Sequence, residues 1–272
     1  MRPMSSLNRS QHGFSLLELL ISVAILTLTL GVVFGYINNS QKVYRAEEQK
    51  VDTTQQGREF LDQITRDIHQ AGYPGQKMYD SAILAVPPAN DSRVAVGLVR
   101  VSASELWFEG DMDGDGAVES VRYTLFDNNG NAIGGASNCP CSLQRSVVLK
   151  ANAAPNAQLT SYNSSVDGII NSGGLGNGGA GLAIAGVTAV GGGATVANDV
   201  FYAAYKTPPV FAAFDANGTA VALPADYVAS PANLAAIRTV QITVNLMARY
   251  QDLQSHVQSV VTMTGSAKLN NF

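Results

Sequence analysis

Asp111, Asp113 and Asp115 alternate along the chain, with Gly114 and Gly116 set among them and Glu119 close behind. Alternate carboxylates in a curled loop converge, and glycine lets the backbone curl. Four acids with no basic residue between them repel one another unless a cation sits in their midst. A hard divalent ion that takes many oxygens at flexible geometry suits such a loop. The expected Ca²⁺ ligands are the carboxylates of Asp111, Asp113, Asp115 and Glu119 and the carbonyl of Ala117. Mg²⁺ suits it less, because it holds to strict octahedral geometry with fewer protein ligands. The competing reading is a well-solvated hairpin turn, since turns favour Asp and Gly on their own account.

The flanks decide what kind of calcium loop this is. An EF-hand needs a bidentate Glu at its twelfth position, and that place holds Arg122. Residues 104–109 and 120–126 read as strands, not helices. The spacing resembles the D-x-D-x-D-G calcium loops that join strands in integrin-type β-propeller repeats. Cys139-Pro140-Cys141 is the second group with chemistry. Two thiols do not make a metal site. In an oxidising compartment the pair is expected to form a local disulfide, closing a very tight loop that is readily reduced, with no catalytic role.

The rest of the composition excludes more than it offers. Lys and Arg total 17 against 21 Asp and Glu, a formal charge of −4, and a bulk electrostatic grip on nucleic acid needs the opposite balance. Charged residues are 14%, well below the roughly one quarter of an average soluble domain, while hydrophobic residues at 46% suffice for a core. Two cysteines rule out a disulfide-dense scaffold or a multi-cysteine metal centre. Three histidines, His12, His69 and His256, leave little for histidine chemistry. No Ser–His–Asp order, H-E-x-x-H or zinc spacing occurs, and the glycines of residues 172–194 lack a P-loop Lys. The expectation is a protein that is not an enzyme.

The first forty residues set the class. Residues 1–13 are polar, with Arg2 and Arg9 and no acid; from Phe14 the chain turns apolar to Ile37, broken by the single charge of Glu18. Leu19 to Ile37 has the ~20-residue length of a bilayer span. Basic charge before the span and none directly after it places the N-terminus in the cytoplasm. A secretory signal would need a small-residue cleavage site, and no A-x-A follows Ile37. A plain anchor leaves unexplained an acid inside the apolar run, which is costly and points to function. Gly31 and Gly35 allow close helix approach and also lower helix propensity, so local melting is expected there.

The junction Gly13-Phe14-Ser15-Leu16-Leu17-Glu18 resembles the class III signal of type IV pilins and type II secretion pseudopilins. The resemblance implies cleavage between Gly13 and Phe14 by a prepilin peptidase, N-methylation of Phe14, and pairing of Glu18 with the Phe14 amine of a neighbouring subunit. Paired, the two charges avoid separate burial in a low dielectric and set the axial register. The segment Gly57 to Gly75, GREFLDQITRDIHQAGYPG, resembles the corresponding stretch of the PilW minor pilin family and the related pseudopilin GspJ. The closing residues 237–271 look like the last strands of PilW-type proteins. These resemblances imply a minor pilin that primes and caps a type IV pilus. Its implied partners are the major pilin, other minor pilins, the inner-membrane assembly platform and a tip adhesin. Its implied location is the inner membrane and then the fibre. The alternatives are a GspJ-like pseudopilin of type II secretion and a tip-associated adhesion module.

Around these residues the expected fold is α+β and pilin-like: a long N-terminal helix, membrane-spanning in its first half, packed on a C-terminal antiparallel sheet. Residues 1–13 form the leader, 14–37 the assembly helix, 38–71 an amphipathic helix and 72–272 the β-rich head. As one helix, Phe14 to Ala71 is roughly 85 Å long; the alternative is a break near Asn38-Asn39. Tyr44, Val51, Phe60, Leu61, Ile64 and Ile68 share helical spacing, with Arg58, Asp62, Arg66 and Asp67 assigned to the opposite, solvent side. Gly72-Tyr73-Pro74-Gly75 stops the helix. Strands are expected at 82–86, 93–101, 104–109, 119–126, 143–149, 200–206, 240–250 and 257–269. A Gly- and Ala-rich insertion at about 168–197 is expected as a surface loop.

Overall fold

The apolar residues after Phe14 and the amphipathic run after Asn38 form one uninterrupted helix, α1 (Leu16–Gln70). It passes through Asn38-Asn39 and through Gly31 and Gly35 without a break, so the expected melting at the glycines is not seen. The computed structural model describes residues 15–134, 137–175, 181–184, 200–251 and 257–270. By its own contacts the chain divides into two units, Met1–Glu47 and Glu48–Phe272. The first part of α1 is long and apolar enough to cross a membrane, by length and composition.

In the second unit an antiparallel sheet packs on the C-terminal part of α1. Its strands are β1 (Leu98–Val101), β2 (Glu105–Gly110), β3 (Glu119–Phe126), β5 (Cys141–Leu149), β6 (Tyr162–Ile169), β8 (Phe211–Phe214), β9 (Ala225–Asp226), β10 (Thr239–Gln251) and β11 (Gln258–Lys268). The order is β11-β10-β6-β5-β3-β2-β1-β9, and β8 pairs with the first part of β10. A separate parallel pair joins β4 (Asn138–Cys139) to β7 (Ala183–Ile184). Two short α-helices, α2 (Val200–Lys206) and α3 (Pro231–Ala236), and four 3₁₀ turns complete the described elements.

Period-two alternation supplies one wall of the core. Leu106 and Phe108 of β2 and Val121, Tyr123 and Leu125 of β3 meet Phe60, Leu61, Ile64 and Ile68 of α1. Burial of these apolar side chains is the dominant favourable term in such packing. Phe60 stands edge-on to Tyr123 with ring centroids 5.7 Å apart. Two glycines permit the close approach. A Cβ on Gly57 would lie 2.6 Å from Leu246 Cδ1, and one on Gly110 would lie 2.5 Å from the Gln70 carbonyl oxygen. The helix then stops as its residues dictate: Gly72 takes the left-handed conformation with φ of 82°. Its N–H donates to the Glu109 carbonyl at 2.8 Å. The end of β2 is thereby fastened to the end of α1.

Several expectations are corrected. Residues 200–206 form helix α2, not a strand; Tyr202 and Lys206 are both buried, four residues apart, which is helical spacing. Residues 82–86 form no strand: Ala82 and Ile83 belong to a short 3₁₀ turn at Ser81–Ile83, and Ile83 and Val86 are exposed. Tyr44 and Val51 are exposed and Asp67 is buried, reversing their assignment to the helix faces. The start of the expected insertion belongs to the sheet: β6 runs to Ile169 and burial continues through Ser172.

Candidate functional site

At the start of α1, Gly13 and Phe14 lie outside the described residues, and Ser15 and Glu18 carry the geometry. Glu18 Oε2 accepts the backbone N–H of Ser15 at 3.1 Å. Ser15 Oγ accepts the N–H of Leu17 at 3.4 Å, and the Ser15 carbonyl accepts the first helical bond from Leu19 at 3.1 Å. Sequence and geometry together make Ser15-Leu16-Leu17-Glu18 a capping box, in which side chains satisfy N–H groups left without partners at the helix start. Within lipid such groups have no water to turn to. Ser22, Thr27 and Thr29 donate their hydroxyls to carbonyls one turn back at 2.7, 2.8 and 3.0 Å. These three hydroxyl donors are therefore already used within the helix. A Cβ on Gly31 or Gly35 would meet nothing within 4 Å, leaving this small-residue pair open on the helix surface.

The acidic residues form the connection between β2 and β3, which pair in register from Glu105↔Thr124 to Gly110↔Glu119. The Asp111 N–H donates to the Tyr73 carbonyl at 2.8 Å, so the loop springs from the point where α1 ends. Gly114 and Gly116 take φ of 79° and 90°, which curls the chain back toward Asp111. One ligand oxygen from each of Asp111, Asp113 and Asp115 lies within 4.8 Å of the others. Asp111 accepts the N–H groups of Gly114 and Gly116 at 2.7 and 3.0 Å. Asp113 accepts that of Asp115 at 3.1 Å, and Asp115 that of Ala117 at 2.7 Å.

Glu119 stands apart from the converging three. It is buried at the head of β3, and its Oε2 accepts the Met112 N–H at 2.9 Å. Burial pushes its carboxyl above the ordinary range, the Met112 bond opposes this, and the charges of Asp113, Asp111 and Asp115 add to the rise. The loop forms one side of a hollow of about 440 Å³ whose other side is Tyr73, Pro74, Met78 and Tyr79. Cys139 and Cys141 are joined by a disulfide where β4 passes into β5, and both are buried.

Two buried polar groups lay beyond the sequence reading. Asp67 accepts the Tyr123 hydroxyl at 2.6 Å and Arg145 Nε at 2.7 Å, tying α1 to β3 and β5. Its signal was present, because Asp67 stands seven residues after Phe60 and three after Ile64, on the core face. Lys150 Nζ meets Glu109 Oε2 at 2.6 Å with both side chains fully buried. The ammonium also donates to the carbonyls of Ala89 and Val94 at 2.8 and 2.6 Å. Burial pushes the Glu109 carboxyl upward and Lys150 opposes the rise.

Residues 8–34 match a family model described as the prokaryotic N-terminal methylation motif. No curated protein and no solved structure matches the chain. The matched stretch contains Gly13, Phe14, Ser15 and Glu18, and it supports a protein of the type IV pilin or pseudopilin kind. Such a motif implies interaction with prepilin peptidase and with other pilins. The apolar start of α1 fits membrane anchoring before assembly.

Proposed function

We propose that this chain is a minor pilin of the PilW type, acting in type IV pilus assembly within a priming complex and at the pilus tip. The observation that carries the reading is the methylation motif over residues 8–34, placed at the head of the 55-residue helix α1. The work is mechanical rather than catalytic: subunits are held by lateral packing of their apolar helices and by contacts between heads. Glu18 has a partner at each stage of this scheme. In the single chain its carboxylate caps its own helix through the Ser15 N–H. Once the leader is removed, the Phe14 amine of a neighbour offers a full positive charge, and in a low dielectric two opposite full charges attract more strongly than a carboxylate and a neutral amide. The capping bond is thus the weaker partner, exchanged for the amine on assembly.

Mass spectrometry of the N-terminal peptide of the protein recovered from membranes tests the scheme. The expected terminus is N-methylated Phe14, and Glu18→Ala is expected to be processed but excluded from filaments. A mature chain that keeps residues 1–13, or unchanged incorporation of Glu18→Ala, overturns it.

We further infer that the β2–β3 hairpin takes Ca²⁺. Three convergent carboxylates with glycine turns supply hard oxygen ligands, and the Ala117 carbonyl and the Glu119 carboxylate complete the proposed set. Calorimetric titration of the full chain in nonionic detergent is expected to show saturable heat with millimolar Ca²⁺ and a weaker response to Mg²⁺. An absence of heat with Ca²⁺ removes the metal from the scheme.

A further inference from the structure

The face that α1 turns to the sheet changes character along its length. From Phe60 onward it is packed and, apart from Asp67, apolar. One helical repeat earlier, the same face carries Gln49, Thr53 and Gln56, at spacings of four and seven residues. Gln49 and Thr53 are half-buried and Gln56 is exposed, and polar residues in half-buried positions break the local rule for a packed helix; such breaks concentrate at functional sites. Here the helix does not close on the sheet. A crevice of about 880 Å³ separates Gln49, Thr53 and Gln56 from a floor that includes Cys141, Met247 and Ala248. That volume lies within the range of roughly 300–1,000 Å³ typical of ligand sites.

The chemistry of the crevice is one-sided. Gln49 Oε1 and Gln258 Oε1 are buried acceptors with no donor among the described residues. The Gln258 amide is oriented by its own N–H, which donates to the Arg249 carbonyl at 3.0 Å, so its oxygen is the end left over. An unmet buried acceptor is costly until a donor arrives. Three carboxylates, Asp52, Asp127 and Asp167, line the crevice against one guanidinium, Arg249. Asp127 is engaged by the N–H groups of Asn129 and Asn131 at 2.9 Å. Asp52 and Asp167 are exposed and enter no ion pair among the described residues.

We propose that this crevice, between the polar stretch of α1 and the Cys141 end of the sheet, receives a lysine- or arginine-bearing segment of another protein chain. Ammonium and guanidinium groups donate and never accept, which matches two unmet amide oxygens and two free carboxylates. The excess of acids draws a basic partner and repels an acidic one. A space of this size holds an extended stretch of several residues, with the alkyl stems of its basic side chains laid on the Met247 and Ala248 floor. The proposal rests on the reading of the chain as one subunit among several, which supplies partner chains for the crevice to engage.

The test uses the full chain in nonionic detergent at physiological salt, with a fluorescent hexalysine peptide followed by anisotropy and spermidine as the small-molecule arm. The expected result is saturable peptide binding that weakens about tenfold or more in Asp52→Asn/Asp167→Asn and also in Gln49→Leu. The control Glu59→Gln/Asp62→Asn, which removes two exposed acids of α1 outside the crevice, is expected to change it less than about twofold. All three alter residues outside the packed core, and circular dichroism verifies that the fold is kept. Equal binding by the crevice variants and wild type overturns the proposal, as does loss of binding in the Glu59→Gln/Asp62→Asn control alone. Spermidine binding as tightly as the peptide overturns the assignment to a protein segment. Leader removal and methylation at Phe14 are expected to be unchanged in the crevice variants, so failure here and failure of the pilin reading are told apart.

Discussion

Glu109 and Asp111 are separated only by Gly110, yet the fold treats their charges in opposite ways. Glu109 points into the protein, and Lys150 comes from the end of β5 to meet it. The three N–H donors of that ammonium are spent on Glu109, Ala89 and Val94. Two residues on, Asp111, Asp113 and Asp115 converge without any basic side chain bonded to them among the described residues. Only backbone N–H groups answer them. At Glu109, whose side chain is fully sealed from water, the chain supplies its own counter-charge, because an isolated buried charge is prohibitively costly. Asp113 and Asp115 face solvent and Asp111 is buried against backbone N–H groups, so under the calcium proposal the cation that neutralises the three comes from outside. The contrast separates a structural charge from one available for binding.

The sharpest way to break this contrast is to remove the internal cation. Lys150→Met leaves the Glu109 carboxylate buried and unpaired and deprives the Ala89 and Val94 carbonyls of their donor. A loss of about 3–5 kcal/mol is expected, the usual scale for breaking a buried pair. Glu109→Leu together with Lys150→Met is expected to cost clearly less than the sum of the single changes, because the uncompensated charge is gone. Chemical denaturation of the four proteins measures both. A single-variant loss below about 1 kcal/mol would mean that the pair contributes no more than a surface ion pair, and the contrast would fail.

The complementary change removes the external site. Asp113→Asn/Asp115→Asn is expected to leave the melting temperature unchanged or slightly raised without calcium, since mutual repulsion is relieved. Added Ca²⁺ at about a hundredfold excess over its dissociation constant stabilises a binding-competent protein by roughly 2.7 kcal/mol. Wild type is expected to show that gain and the variant to lose it. A calcium-dependent rise of equal size in both proteins would place the cation elsewhere.

How far each half of this contrast could be read in advance follows from the range of the interactions. The hairpin was legible because its acids and glycines are neighbours in sequence and its flanks alternate; β3 spans Glu119–Phe126 as expected. Helix α1 was legible from its apolar run and its Gly-Tyr-Pro-Gly stop. The role of Lys150 was not legible, because nothing local ties it to an acid 41 residues earlier. Strand β6 was missed because its residues, YNSSVDGI, are mostly polar; it is set by its register against β5, where Leu143 pairs with Val166. The VFYAAYK run at Val200–Lys206 was read as a strand from its aromatic and β-branched residues. Its helical spacing appears only once Lys206 is known to be buried with Tyr202.

The smallest expected effect is the pH dependence, and its sign divides along the same line. In the folded chain Glu119 is raised by burial and by the three aspartates beside it, and Glu109 by burial. A raised carboxyl binds its proton more readily folded than unfolded, so stability increases as pH falls from neutral toward the ordinary Glu value of about 4.3. Asp91 and Asp127 run the other way. Bonds from Arg93 to Asp91, and from Asn131 and Asn129 to Asp127, hold both below the usual range. Their stabilisation is present above the unfolded Asp value of about 3.9 and is lost as pH falls through the folded values. Thermal melts of the full chain in detergent across this interval are expected to rise and then fall. Saturating Ca²⁺ is expected to flatten the part of the rise that belongs to Glu119, because a metal-bound carboxylate resists protonation. The part that belongs to Glu109, answered from within by Lys150, is expected to persist unchanged. A rise insensitive to calcium would assign the whole effect to the buried pair.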